Sequence, residues 1–251
     1  MRSGFCGRVG GRFPLAYADA VLADSPIAYW RHNGLSSSTV GIDSSGNGRT
    51  GTYSHTGMQG AGALFSGSGG AATYSGSSQY MTVPHNSALK PTAAITLESW
   101  FVLDDLSQWR GIISTTQSGG WVLDYTGAGS GSALRCNMRR NGAYGTAQLA
   151  SVIEVGKVYH AVATYDGRYT RLYLGSLTED TVEVAVNDAG ANYPIQYATN
   201  NALCIGCEAS AGSTPEGQYW DGVLGETAIY STALSPSRIL AHNQAARGLA
   251  A

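Results

Sequence analysis

The chain has 251 residues, enough to bury a sizeable core, and only 13% of them are charged, about half the usual share. The formal net charge of −2 gives no electrostatic basis for binding nucleic acid. No segment approaches the roughly 18 consecutive apolar residues that span a membrane. Neither nucleic acid nor a membrane is therefore an expected partner.

The first 14 residues are basic and rich in glycine. They carry Arg2, Arg8 and Arg12, contain no acidic residue and lack the apolar core of a secretory signal. We expect a flexible basic arm, residues 1–14, followed by a single domain, residues 15–251. Two interpretations of the arm stay open: it is a disordered tail, or it orders against a neighbouring subunit and tethers the domain to it.

After the arm, a short helix is predicted over residues 15–22, stopped by Asp24-Ser25-Pro26. Beyond it, short runs of β-branched, aromatic and aliphatic residues alternate with clusters of Gly, Ser and Asn, which is typical of strands joined by tight turns. The 34 glycines fit the same pattern. Strands are predicted at 27–31, 63–66, 79–83, 94–103, 111–115, 121–125, 134–139, 143–148, 157–165, 169–174, 181–186, 203–206 and 222–230.

Two dipeptides mark hairpins between these strands. Asp166-Gly167 follows the strand at 157–165, and Asn141-Gly142 follows the strand at 134–139. Both dipeptides readily adopt the positive φ values of a two-residue turn. The sequence therefore predicts antiparallel pairs at both places.

The predicted strand at 94–103 has one apolar face and one amphipathic face. Alternate residues point to opposite sides of a strand, so each face can be read directly. One face carries Ile95, Leu97, Phe101 and Leu103, and the other carries Thr96, Glu98, Trp100 and Val102. The second face is therefore amphipathic and not simply exposed to water.

A second helix is predicted at the end of the chain. Ser235 is a suitable N-cap, Pro236 fits the first helical position, and Gly248 is a suitable terminator. The secondary structure is otherwise entirely strand and turn.

The four cysteines, Cys6, Cys136, Cys204 and Cys207, do not form a disulfide framework in a chain of this length. Cys204-Ile-Gly-Cys207 has metal-ligand or redox spacing, but no second Cys/His pair stands at zinc-finger distance. If residues 203–206 form a strand, the two sulfurs start on opposite faces. We predict plain thiols or an incidental bridge rather than a metal site.

Seven segments have a characteristic order and spacing: 28–31, 43–48, 80–84, 95–101, 159–167, 220–230 and 233–235. Together they resemble the laminin-G-like (pentraxin-related) jelly roll of the concanavalin A-like lectin/glucanase superfamily, from about Tyr17 to Gly248. The resemblance implies an all-β sandwich of two antiparallel sheets, with a short N-terminal helix and a C-terminal helix.

The same resemblance implies a calcium site, because members of the family frequently hold calcium near their loops. Gly225 stands where the family usually has an Asp, whereas Glu226 is kept. The remaining candidate oxygen ligands are Asp43, Asn47 and Asp221, and calcium is the cofactor candidate. The alternative, which we favour, is that Asp43 and Asn47 stabilise a turn through bonds to the backbone.

Some relatives of this fold are glucanases, so catalysis needs a test. Their pattern, Glu-x-Asp-x-x-Glu on one strand, presents carboxylates at alternate positions. The segment 179–183 has the wrong alternation, and Asp104-Asp105 would point to opposite faces of a strand. The five histidines are scattered, and His160 reads as a structural histidine within a strand. We predict that the protein is not an enzyme.

Sugar binding needs aromatic rings for stacking and polar side chains for the hydroxyls, both of which a rigid sandwich with long loops can supply. The alternative for each ring is ordinary packing, because Tyr and Trp are common in strands. The candidate carbohydrate contacts are Trp109, Trp121, Tyr125, Tyr144, Tyr193, Tyr197 and Tyr219.

Two functions compete on this scaffold: a secreted or cell-surface carbohydrate-binding module, and a structural protein of a particle. The opening segment, residues 18–31, resembles chains encoded among phage structural genes. We therefore expect a phage virion protein, either a head decoration protein or fibre or a tail component, assembled in the host cytoplasm. Its expected partners are capsid or tail subunits, further copies of itself and a cell-surface glycan. The alternative is an extracellular lectin or adhesion module.

Overall fold

The computed structural model describes residues 16–115, 119–198, 202–209 and 215–249. Two helices, α1 (Tyr17–Ala23) and α2 (Pro236–Ala246), accompany short strands. The strands are β1 (Ala28–Trp30), β2 (Val40–Gly41), β3 (Gly51–Tyr53), β4 (Gln59–Ala61), β5 (Ala71–Ser75), β6 (Met81–Val83), β7 (Ile95–Leu103), β8 (Arg110–Ser114), β9 (Trp121–Tyr125), β10 (Ala133–Arg140), β11 (Ala143–Ala150), β12 (Tyr159–Tyr165), β13 (Tyr169–Ser176), β14 (Val182–Asp188), β15 (Leu203–Ile205), β16 (Glu208–Ala209), β17 (Pro215–Gly217) and β18 (Asp221–Tyr230).

The N-terminal arm, with Arg2, Arg8 and Arg12, lies outside the described residues. Of the helices that are described, neither is long and apolar enough to cross a membrane.

Two antiparallel sheets face each other. The back sheet has the order β14-β13-β12-β7-β18-β5-β4, with β1 also paired to β18, and the front sheet has the order β11-β10-β9-β8-β15-β6-β3-β2. Strands far apart in sequence are neighbours in both sheets, for example β7 and β18. The predicted all-β sandwich with a helix near each end is confirmed.

The core lies between the sheets, and β7 shows how it is filled. Ile95, Leu97, Phe101 and Leu103 pack into this core against side chains of the front sheet such as Leu123. The opposite face of β7 is covered as well, because Trp100 belongs to a second apolar cluster beneath the helices. Almost all of β7 is therefore buried on both faces, including the amphipathic one.

The two helices lie on the outer face of the back sheet. Tyr17 and Val21 of α1 and Ile239 of α2 pack there with Trp100. The predicted cap is confirmed, since the Ser235 hydroxyl accepts from the Arg238 amide at 3.4 Å. The sheet is thus sandwiched between the core and the helices.

The two predicted hairpins are present. Asn141 and Gly142 have φ values of 49° and 75°, and they join β10 to β11 in the expected turn. Asp166-Gly167 joins β12 to β13, but Arg168 extends the loop to three residues because the Asp166 carboxylate accepts from the amides of Arg168 and Tyr169.

The strand predicted at 63–66 is wrong, and β5 was missed. Leu64 and Phe65 lie in a loop, where Phe65 packs beneath the helices. β5, with the sequence Ala-Ala-Thr-Tyr-Ser, pairs with both β4 and β18. This short strand, with two alanines beside Thr73 and Tyr74, is held on both sides by the ladders to its neighbours.

Candidate functional site

A cavity of about 630 Å³ opens on the outer face of the front sheet. We call it the front cavity. Its lining includes Trp109, Arg110, Arg135, Asn137, Tyr144 and Tyr219. These residues come from β8, β10, β11 and the segments beside them, so the sheet register brings them together.

The alternation of β10 explains why polar groups face this cavity. Leu134, Cys136 and Met138 point into the core, so Arg135 and Asn137 point the other way. Cross-strand pairing then sets Arg135 opposite Asp124 of β9, and Asn137 opposite Val122 of β9 and Thr146 of β11. The polar face of β10 thereby forms a wall of the front cavity together with residues of β9 and β11.

Asp124 and Arg135 form a closely paired ion pair at this wall. Two nitrogens of Arg135 contact the two carboxylate oxygens of Asp124 at 2.9 and 2.5 Å, and the Asp124 side chain is fully buried. Burial raises the pKa of Asp124, although the hydrogen bonds and charge of Arg135 oppose the shift. The Arg135 guanidinium also lies 4.5 Å over the ring of Trp109.

Arg110 ties together the other side of the front cavity. Its guanidinium contacts Asp105 at 2.5 Å and Asp221 at 3.4 Å, and it donates to the carbonyl of Tyr219 at 2.8 Å. Because its side chain is only 7% exposed, these contacts act in a weakly screened environment. Arg110 therefore holds the segment that carries Tyr219 against the start of β8.

The front cavity unites three of the seven candidate sugar contacts: Trp109, Tyr144 and Tyr219. Tyr197 lies elsewhere, donating to the carbonyl of Pro91 at 2.8 Å. Tyr193 is in the loop beside the β12–β13 hairpin, where its carbonyl accepts from the Tyr165 hydroxyl. Sugar contact at these positions stays a prediction.

Trp121 and Tyr125 require a correction. Both lie in the core between the sheets, with exposures of 0% and 1%. Both side chains alternate with Val122 and Asp124 along β9, so they lie on the face of the strand that packs into the core. Neither ring is available to a sugar at the surface.

Arg110, Arg135, Asn137 and Glu208 line the front cavity although the sequence analysis did not select them. The signal was present in β10, where polar residues occupy alternate positions between buried apolar ones. An amphipathic pattern shows that such a face exists, but it does not show which distant strands lie beside it.

The three candidate calcium ligands do not converge on one point. The Asp43 oxygens accept from the amides of Tyr29, Ser45 and Arg49, and the amide group of Asn47 donates to the carbonyls of Pro26 and Ile27. These are the turn contacts of the favoured alternative.

Asp221 lies far from this turn. Asp43 is bridged to Trp30, which pairs with Thr227, six residues along β18 from Asp221. Even with the bulge between Gly225 and Ala228, this stretch spans roughly 15 Å at strand spacing. Asp43 and Asp221 therefore do not share one ion. Among the described residues there is also no group of three or more His, Cys, Asp or Glu side chains that could hold a metal. Calcium binding stays a prediction, and the Asp43 turn does not fit it.

The condition under which the Cys204 and Cys207 sulfurs would start on opposite faces, a strand over residues 203–206, is not met. β15 ends at Ile205, and Gly206 takes a φ of 79°, which turns the chain back. Both thiols are free and buried in one small apolar cluster, against which Tyr219 packs. A hydrogen bond with Cys204, together with burial, raises the pKa of the Cys207 thiol. Cys6 lies outside the described residues.

A second polar cluster lies on the opposite side of the molecule, between the back sheet and the helices. We call it the Glu98 cluster. Its centre is the Glu98 carboxylate of β7, which is fully buried. It accepts hydrogen bonds from Tyr17 of α1 at 2.8 Å, Tyr230 of β18 at 2.8 Å, His160 of β12 at 2.9 Å and His242 of α2 at 3.0 Å.

The Glu98 cluster carries charge although the side chains of Glu98 and its two histidine partners are fully buried. Burial would raise the pKa of Glu98, but the charge of His242 and the hydrogen bonds of both histidines hold it well below its usual value. Burial likewise opposes the charge on His242, yet Glu98 and Asp24 raise its pKa to about 9. His160 also contacts Thr181 at 2.8 Å, which fits the structural role predicted for it.

Comparison with known proteins identifies the class. Residues 75–240, more than half of the chain, match the family described as the concanavalin A-like lectin/glucanases superfamily. The chain therefore belongs to this superfamily. No curated protein sequence matches it.

Solved structures with a similar fold include receptor-binding parts of neurotoxins. The botulinum neurotoxin serotype D binding domain aligns with a TM-score of 0.62 at 15% identity, over 90% of this chain and 52% of that one. The serotype G binding domain aligns with a TM-score of 0.58 at 13% identity, over 87% and 50%.

A third structure is the serotype D ligand binding domain in complex with N-acetylneuraminic acid, with a TM-score of 0.62 at 14% identity, over 92% and 52%. The chain spans about half the length of these domains. At such low identity the similarity concerns the fold.

Proposed function

We propose that the protein is a non-enzymatic, glycan-binding component of a phage virion. The observation that carries glycan binding is the front cavity, where three aromatic residues meet carboxamide and guanidinium groups. Rings and directional polar groups in a preformed concavity are what recognition of a sugar requires. The superfamily membership and the sialic acid complex of the serotype D domain support the same proposal.

The proposal that the protein is not an enzyme rests on the arrangement of its carboxylates. The buried acid beside the cavity, Asp124, is held by two contacts to Arg135. No strand of the sequence carries the alternating carboxylate pattern of the family's glucanases.

Glycan binding is tested by applying the protein to a glycan array and measuring the affinity of the bound glycans by calorimetry. The variant Trp109→Ala/Tyr219→Ala should weaken binding roughly 10- to 30-fold, because each ring contributes about 1 kcal/mol of contact energy. Tyr169→Ala is the matched control, since Tyr169 is also half-buried but lies on β13 of the back sheet, outside the front cavity. An array without signal, with and without calcium, would refute the proposal.

The virion setting rests on the opening segment, residues 18–31, with its resemblance to phage structural chains, and on the low charge content. In this proposal the protein is assembled in the host cytoplasm, contacts capsid or tail subunits and its own copies, and exposes the front cavity to a cell-surface glycan. The basic arm, residues 1–14, tethers it to a neighbouring subunit.

Mass spectrometry of purified virions tests this setting, and absence of the protein from the particle would refute it. A version without residues 1–14 should dissociate from the particle. If it stays attached, the tether proposal is wrong. The alternative, an extracellular lectin, predicts glycan binding without any particle.

A further inference from the structure

The two guanidiniums that line the front cavity already have carboxylate partners. Arg110 is engaged by Asp105 and Asp221, and Arg135 is engaged through two nitrogens by Asp124. A guanidinium that already has a close carboxylate partner offers an acidic ligand little additional attraction, and displacing that partner would leave a buried charge unpaired.

The balance of the surrounding charges is slightly negative. The guanidiniums are those of Arg110, Arg135 and Arg139, which lies 5.2 Å over the ring of Tyr144. Among the described residues, the carboxylates are those of Asp105, Asp124, Asp221 and the buried Glu208, so four negative groups of this part of the chain stand against three positive ones. A carboxylate-bearing sugar would meet a like charge across a partly desolvated wall.

The remaining polar groups are suited to hydroxyls. The carboxamides of Gln108, Asn137 and Gln218 line the cavity. The Oδ1 atom of Asn137 accepts from the Thr146 hydroxyl at 2.6 Å, which orients the amide and leaves its NH₂ group as the donor on the cavity side. Carboxamides both donate and accept, so they match a hydroxyl without requiring charge on the ligand.

Given glycan binding at this site, on which the inference rests, we propose that the front cavity selects uncharged sugars and discriminates against acidic ones. Asn137 is a specificity residue in this scheme: its oriented amide donates to a sugar oxygen. The paired guanidiniums position the wall and do not hold an anion. The cavity thus differs in ligand charge from a site that binds sialic acid.

The test is an array of neutral glycans paired with counterparts that differ by one terminal sialic or uronic acid, followed by calorimetry on the pairs that bind. The neutral member should bind roughly 10-fold more tightly, because the acidic group of its counterpart is repelled by the carboxylates around the cavity. If the acidic member binds as well or better, the inference fails while glycan binding stands. If neither member of any pair binds, the proposed function itself fails.

Two variants sharpen the result. Asn137→Asp keeps the acceptor for Thr146 but replaces the donor by a carboxylate, so neutral glycans should lose roughly 2- to 10-fold in affinity and acidic glycans more. Asn192→Asp, in an exposed loop outside the cavity, is the matched control. Unchanged affinity in Asn137→Asp would overturn the role of Asn137.

Asp124→Asn removes the charge that neutralises Arg135, so it should shift the preference toward the acidic member of each pair by roughly 10-fold. An unchanged preference in the folded variant would overturn the role given to this ion pair. Because loss of a buried charge also costs stability, the wild-type comparison of paired glycans decides the inference if this variant does not fold.

Discussion

The two faces of the sandwich each hold a fully buried carboxylate beside cationic groups, Glu98 on the back and Asp124 on the front. On the back, four donors from different elements surround Glu98, and the two helices cover them. On the front, Asp124 has its ion pair with Arg135, and that arginine continues into an open cavity. Similar chemistry is therefore sealed where helices cover it and borders an open cavity where none does.

The largest expected effect is on the closed side. Glu98→Gln should lower the free energy of unfolding by about 3–5 kcal/mol, because it leaves the buried His242 cation without its main partner. Urea unfolding measures the change, and Glu154→Gln, whose side chain is 73% exposed, is the matched control with an effect of at most about 1 kcal/mol. A loss below about 1 kcal/mol in Glu98→Gln would show that the cluster does not stabilise the fold.

Alkaline pH should weaken the closed side as well. The pKa of His242 is about 9 in the folded protein and about 6.5 when unfolded, so its stabilising effect is complete below about pH 6.5 and disappears as the pH rises through about 9. The shift corresponds to about 3 kcal/mol.

Urea unfolding between about pH 6.5 and about pH 9 tests this prediction. In His242→Gln the free energy of unfolding should no longer fall as the pH rises through this range. The open side should behave differently, since the cations of the front cavity are guanidiniums, which keep their charge throughout the range. A slope that persists in His242→Gln would assign the pH dependence to other groups.

The smallest expected effect concerns calcium at the Asp43 turn. Like the Glu98 carboxylate, the Asp43 carboxylate already accepts hydrogen bonds within the protein, in this case from three backbone amides. Adding calcium or a chelator should leave the thermal midpoint unchanged, since a ligand stabilises only the state that binds it. A calcium-dependent rise that disappears in Asp43→Asn would instead establish a site here.

Local pattern was enough to find most of the elements. The strand predicted at 121–125 coincides with β9, and the helix cap at Ser235 is present. These features depend on alternation and on the chemistry of a few adjacent residues. β5 escaped detection because two alanines and a serine outnumber Thr73 and Tyr74, the residues in it that favour strands.

The local pattern did not show which of the candidate side chains would face the core and which would face the surface. Trp109 and Trp121 were both plausible binding rings, yet one lines the front cavity and the other fills the core. Likewise, one residue, Gly206, changes the relation between Cys204 and Cys207 from opposite faces to a shared cluster. A register shift or a turn residue decides such outcomes, and both depend on the partner strand.

The sequence by itself determined most of the strand and turn pattern, the N-cap of α2 and the superfamily, because these depend on residues close together along the chain. The tertiary structure alone decided that Arg110 meets Asp221, that Glu98 meets His242, and that Asn137 shares a wall with Tyr219. These residues are distant in sequence, and strand order brings them together. A site built across several strands is therefore visible only when their pairing is known.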